Sequence, residues 1–196
     1  NAGFAAIAAV VVFGKRKGYG KEPMEPHDIT MVVLGAAILW VGWFGFNAGS
    51  AGGATAQAAY AFTNTAVAAA AAGLLWTLAS WQFGGKPSVV GAAAGAVAGL
   101  VAVTPASGYV MPMEAIIIGG VAGVLCYGAV RLRAKIGFDD SLDVVGVHGV
   151  GGMWGALATG IFANSAVSGI PYAEGIMQGE WGRFTDALIG IGVIGA

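Results

Sequence analysis

Apolar residues run along this chain in long, nearly unbroken stretches, unlike the one-sided stripes of water-soluble helices and strands. Five such stretches, at 29–54, 58–83, 88–109, 113–130 and 144–166, each approach or exceed the roughly 20 residues that carry a helix across the hydrocarbon core of a bilayer. Two-residue alternation is missing and Ala and Gly dominate, which predicts spanning helices and speaks against a transmembrane barrel. Two shorter apolar pieces, at 1–14 and 186–196, read as the end of one further spanning helix and the start of another. The expected fold is therefore an all-α, polytopic bundle of transmembrane helices, with the chain a fragment of one transmembrane domain.

The polar punctuation between the stretches is uneven in charge. Lys15, Arg16, Lys17 and Lys21 precede the first complete stretch, Lys86 follows the second, and Arg131, Arg133 and Lys135 follow the fourth. The positive-inside rule puts those loops in the cytoplasm and the intervening loops, whose only basic residue is Arg183, outside. Composition agrees, since 57% of residues are hydrophobic and 10% charged, where a soluble domain carries about a quarter charged. The net charge of -1 gives no electrostatic reason to expect a nucleic-acid partner. Runs such as Gly91-Ala92-Ala93-Ala94-Gly95-Ala96-Val97-Ala98-Gly99 place small side chains at every fourth position, the pattern that lets helix backbones approach closely in lipid. Cys126, the only cysteine, can form no intrachain disulfide and reads as a packing residue.

His148 stands alone among small and apolar side chains. An ionisable ring inside a spanning segment is costly, so it is a functional candidate unless a neighbouring helix carbonyl satisfies it. At 100° per residue Val144, Gly151, Gly152 and Gly155 share its helix face, leaving the imidazole beside a nearly bare wall, as in a narrow passage. Leu39, Trp43, Phe46 and Ser50 form one stripe toward the outer end of the first complete stretch. They read either as interfacial anchors or as a site where ring faces attract a small cation and a hydroxyl accepts its hydrogen bond. Asn47, Asn64, Thr65 and Thr104 suit interhelical hydrogen bonds. Asp139, Asp140 and Asp143 are placed to cap the His148 helix, and His27 falls in a charged loop with no chemistry assigned. A nucleotide-binding P-loop, a paired His-Glu metal motif and a nucleophile elbow are all missing, so no enzyme activity, cofactor or metal is expected.

Four motifs, taken together and in order, carry a resemblance. Gly42-Trp43-Phe44-Gly45-Phe46-Asn47-Ala48-Gly49-Ser50, Lys86-Pro87-Ser88, Val103-Thr104-Pro105-Ala106-Ser107-Gly108-Tyr109 and Asp143-Val144-Val145-Gly146-Val147-His148-Gly149-Val150-Gly151-Gly152 resemble the ammonium transporter (Amt) family, its microbial branch more than the Rhesus glycoprotein branch. The likeness covers nearly the whole chain and fades between 164 and 183. It implies an eleven-helix fold of two inverted five-helix repeats, usually a homotrimer with one pore per subunit. On that reading 29–166 is the second repeat, 1–14 the end of the fifth helix and 186–196 the start of the eleventh.

The resemblance also implies roles. The family recruits ammonium in an outer vestibule, passes it through a phenylalanine gate and conducts ammonia through an apolar pore holding two histidines. Phe46 matches a gate phenylalanine, Ser50 the vestibule hydroxyl, with Trp43 beside it, and His148 the second pore histidine. Asn47, Thr104 and Val144 fall near the pathway. Asn1-Ala2-Gly3-Phe4 resembles the stretch that directly follows the first pore histidine. The implied partners are ammonium or ammonia, the lipid bilayer, two further copies of the chain and a PII-type signalling protein on the cytoplasmic side, and the implied location is the cell (inner or plasma) membrane. An ammonium sensor using the same site is the alternative.

Overall fold

The computed structural model describes residues 1–195; Ala196, the last residue of the segment predicted at 186–196, lies outside them. The described residues form helices and connecting turns, with no strand. In chain order these are α1 (Ala2–Phe13), α2 (Ile29–Gly49), α3 (Ala56–Gly84), α4 (Val89–Val103), α5 (Pro112–Ile136), a π-helical turn at Val145–Val150 that runs into α6 (Gly151–Phe162), the short α7 (Ser165–Ser168), a 3-10 turn at Ile176–Gln178 and α8 (Gly182–Gly195).

Local chemistry sets the helix ends. Asp28, Thr55 and Ser88 each turn a side-chain oxygen onto a backbone N–H of the first turn, at Met31, Ala58 and Gly91, which satisfies a donor that the helix itself leaves open. At the opposite ends of α3 and α5 the chain reverses through Gly85 (φ 84°) and Gly137 (φ 70°), left-handed conformations that a Cβ would strain.

Among the described residues four helices are long and apolar enough to cross a membrane: α2, α3, α5 and the continuous Val145–Phe162. The stretch at 88–109 departs from the expected full span, because its helix ends at Val103 after 15 residues. Pro105 is the reason: it lacks an N–H and disfavours continued helix at the residue before it. The remainder folds on itself by short-range bonds from Thr104 to Val101, Ala106 to Val103 and Tyr109 to Ala106. The stretch at 144–166 also breaks, at Ala163, whose ψ of 139° is extended, before Asn164 caps α7.

The core is built on α3, packed between α4 and α5, and small residues set its tightness. Ala68 and Ala72 are fully buried. A Cβ placed on Gly99 or Gly119 would lie 2.4 or 2.2 Å from the Ala68 carbonyl oxygen, and one on Gly123 would lie 2.5 Å from that of Ala72. Backbone therefore meets backbone where lipid offers no hydrophobic drive to association. Cys126 is buried beside Trp76, Ala98, Val101 and Val147, a packing residue as expected.

The basic loops gather at one end of the bundle. Arg131, near the end of α5, donates to the Phe83 carbonyl at the end of α3 at 2.7 Å. Arg16, in the α1–α2 loop, grips Asp139 in the loop after α5 through its backbone N–H and guanidinium, at 2.6 to 3.1 Å. At the other end Gln57 donates to Gly108, and the Asn164 N–H to Tyr109. The positive-inside assignment thus groups loops that the fold itself holds together.

Candidate functional site

The π-helical turn positions His148. Asp140 accepts the Val145 N–H at 2.6 Å and so starts the turn. Gly146 is buried against Val130, and Gly3 of α1 sits so near the turn that its Cβ would fall 2.2 Å from Gly149 Cα. Such widened turns inside helices recur at functional sites. The wider turn also corrects the predicted face: a constant 100° per residue does not hold through it. Gly155 packs on Ala102 and Gly151 on Cys126, while only Gly152 of the three glycines has open space beside its Cα.

Three cavities follow one another along the bundle and share wall residues. The outer, about 340 Å³, is walled by Asn47, Ser50, Gln57, Ser107 and Tyr109 among others. The central, about 910 Å³, is walled by apolar residues including Ile38, Leu39 and Val101, with Trp43. The inner, about 580 Å³, meets Arg16, Glu25, Arg133 and Asp143. Phe46 and Thr104 belong to both the outer and the central walls, and His148 to both the central and the inner walls. The file therefore has two boundaries, an aromatic ring with a hydroxyl and then an imidazole.

Each predicted site residue can be placed against that file. Trp43 and Phe46 meet edge to face, with centroids 5.9 Å apart and planes at 73°. Phe46 is 61% exposed, so its ring projects from α2. Ser50 is exposed and donates to the Phe46 carbonyl at 2.6 Å, which leaves its oxygen free to accept at the outer cavity. Asn47 is buried and donates to Thr65 Oγ1 at 2.9 Å. Thr104 accepts the Trp43 indole N–H. Val144 is half-buried at the start of the turn, outside the walls of the three cavities.

Of the three aspartates expected to cap the His148 helix, only Asp140 does so. Asp139 is held by Arg16, whose hydrogen bonds keep its carboxyl below the ordinary carboxylate range. Asp143 takes a left-handed backbone (φ 55°) that its residue type tolerates, and pairs with Arg133 in the inner cavity wall. Burial pushes its carboxyl upward, against the pull of Arg133. Arg16, Arg133 and Glu25 in that wall escaped sequence reasoning, because a charged loop or helix end reads as solvated until the fold brings it to the wall of a cavity.

A tight bundle of apolar helices with a file of cavities between its ends defines a multi-pass membrane protein. The chain belongs to the Ammonium Transporter Family, whose family model matches residues 1–196. It is 46% identical over 191 residues to ammonium transporter Amt1 of Archaeoglobus fulgidus, a match covering 97% of this chain and 48% of that protein. It superposes on the crystal structure of Candida albicans Mep2 with a TM-score of 0.89 at 42% identity, covering 98% of this chain and 44% of that one. A structure named Sensor Amt Protein matches at a TM-score of 0.82 and 28% identity, covering 99% of this chain and 48% of that one. The chain thus spans about half the length of the relatives it matches.

Proposed function

We propose that the protein to which this chain belongs moves ammonium across the cell membrane, with the described helices forming the second repeat of an eleven-helix fold and one side of the pore. The carrying observation is the file of cavities whose boundaries fall at Phe46 with Thr104 and at His148. Ammonium is recruited as a cation at the outer cavity, where Phe46 offers a ring face and Ser50 an acceptor oxygen, with the Trp43 ring just beyond in the central wall. A charge stripped of water in the apolar central cavity is costly, so the cation gives up its proton before that cavity, ammonia crosses, and the proton passes separately by way of the pore histidines to the inner side, which makes the net movement a current. His148 accepts a hydrogen bond from ammonia and serves as a station for the proton, opposite a second histidine contributed from outside 1–196.

The same reading assigns a homotrimer with one pore per subunit and a PII-type signalling protein at the cytoplasmic end, where 15–25, Lys86 and 131–140 offer the inner surface. The test is the full-length protein in liposomes, with ammonium-evoked current compared against potassium current and water flux. Ammonium current is expected, together with its loss or altered selectivity in His148→Ala. Unchanged current and selectivity in that variant would remove His148 from the pathway.

A sensor is the second reading, favoured by the likeness to the Sensor Amt Protein structure. It keeps the same recruitment site and replaces turnover by a reported occupancy. A signalling domain in the full-length protein, with ammonium binding but no current, distinguishes it.

A further inference from the structure

We infer that Asn64 and Thr65 of α3 are positioning residues that set the aperture between Phe46 and Thr104, and with it the discrimination of ammonium from larger amines. The inference rests on the transport reading above.

The two neighbours grip, from behind, the two elements that meet at that boundary. Thr65 Oγ1 accepts from Asn47 Nδ2 at 2.9 Å and donates to the Ala61 carbonyl at 2.6 Å, which fixes α2 one residue beyond Phe46. Asn64 Nδ2 donates to the carbonyls of Ser107 at 2.8 Å and Val110 at 2.7 Å, which fixes the turn that Thr104 opens. Ser107 Oγ closes that turn by donating to the Thr104 carbonyl at 3.2 Å. One helix therefore holds both sides of the boundary in register.

Asn64 and Thr65 are each 0% exposed and lie outside all three cavity walls, so they act through Phe46 and Thr104 without touching the cargo. Asn64 commits both N–H donors to the turn and leaves its own Oδ1 buried without a partner. An unmade buried hydrogen bond is destabilising, and a leucine of similar volume would avoid it. The side chain earns its place through its two donors, not through filling space.

Packing discriminates one methyl group by tenfold or somewhat more only while the wall holds still. The full-length protein in liposomes is therefore challenged with ammonium and with methylammonium, comparing wild type with Thr65→Val, Thr65→Ser and Asn64→Leu. Thr65→Val and Asn64→Leu are expected to lower the ammonium-to-methylammonium current ratio by about threefold or more. Thr65→Ser, which keeps the hydroxyl, is expected to retain the wild-type ratio. A merely structural role would reduce both currents in proportion, and that result overturns the proposal. So does an unchanged ratio in Thr65→Val, which decides the matter alone if Asn64→Leu does not fold. An inert wild type overturns the transport reading and the clamp together, whereas an active wild type with an unchanged Thr65→Val ratio overturns the clamp only.

Discussion

Trp43 donates its indole N–H to Thr104 Oγ1 at 2.8 Å, and the same hydroxyl donates to the Leu100 carbonyl at 2.7 Å. The indole plane is thereby tied to the last turn of α4, and Phe46, edge-on to Trp43, inherits that orientation. A hydroxyl at this position serves α2 and α4 at once.

Replacing Thr104 by Val keeps the shape and removes the acceptor. Interhelical hydrogen bonds in membranes are worth about 0.6 kcal/mol on average and about 1.7 kcal/mol at most, so an effect of roughly threefold to eighteenfold is the scale to expect. We expect Thr104→Val to raise the ammonium concentration for half-maximal current in the full-length protein by such a factor. Thr104→Ser restores both bonds and should behave as wild type. Equal currents in Thr104→Val and wild type at all concentrations would show that the tie has no bearing on recruitment.

Two glycines on α5 predict opposite outcomes from one chemical change. A Cβ on Gly123 would lie 2.5 Å from the Ala72 carbonyl oxygen, whereas Gly128 has nothing within 4 Å. Gly123→Ala must push α3 from α5, and overpacking of this kind costs about 1–3 kcal/mol. Gly128→Ala adds a better helix former in open space and should be neutral or stabilising by up to about 1 kcal/mol. Thermal unfolding of the detergent-solubilised full-length protein checks the pair: a lower midpoint for the first and an unchanged or higher midpoint for the second. Equal midpoints would mean that the α3–α5 contact is looser than described.

How far the sequence carries this far into the fold depends on what each residue answers to. Spanning stretches were legible because lipid forces every backbone polar group into a helix, so apolar length alone predicts α2, α3 and α5. Basic loops were legible because charge asymmetry is local in sequence. The shortening of α4 was signalled by Pro105, yet the surrounding Val, Ala and Gly kept the stretch apolar through 109 and hid the turn. The widened turn at His148 was not legible, since the close approach of Gly3 from α1 and of Val130 from α5 to it exists only in the fold. Phe46, Ser50 and His148 stood out as residue types in an unusual setting. Glu25 and Arg133 did not, because only the fold brings the α1–α2 loop and the last turn of α5 to the inner cavity.

Asp140 offers a narrower test of the turn. Its Oδ2 takes the Val145 N–H at 2.6 Å, and the residue is buried. Asp140→Ala leaves that donor open, a loss of about 1 kcal/mol for a capping residue. Amide exchange at 145–147 should accelerate about fivefold on that basis, while exchange in α3 stays unchanged. Asp140→Asn keeps an acceptor and should give nearly wild-type exchange. Uniform acceleration across α3 and the turn would point to global destabilisation instead of a lost cap.

The collar formed by Arg16 and Asp139 predicts a pH dependence with a definite sign. Hydrogen bonds from Arg16 hold the Asp139 carboxyl below its ordinary value, and the same contact raises the Arg16 guanidinium. A carboxylate whose folded value is depressed contributes stability above its unfolded value, about 3.9, and loses it as pH falls through the folded value. The collar is therefore fully held from neutral pH down to about 5 and loosens only below about 4. Tyr19, which donates to the Phe138 carbonyl at 3.2 Å, has no acidic group in its bond and should persist longer. Hydrogen exchange of 14–22 and 137–139, which leaves out the oppositely shifted Asp143 and is corrected for intrinsic rates, reads this in the full-length protein. Wild type should lose protection in the acidic window, and Asp139→Asn should show reduced protection already at neutral pH with little further change on acidification. Protection that grows toward low pH, or an identical profile in the two proteins, would place the stabilisation of the collar elsewhere.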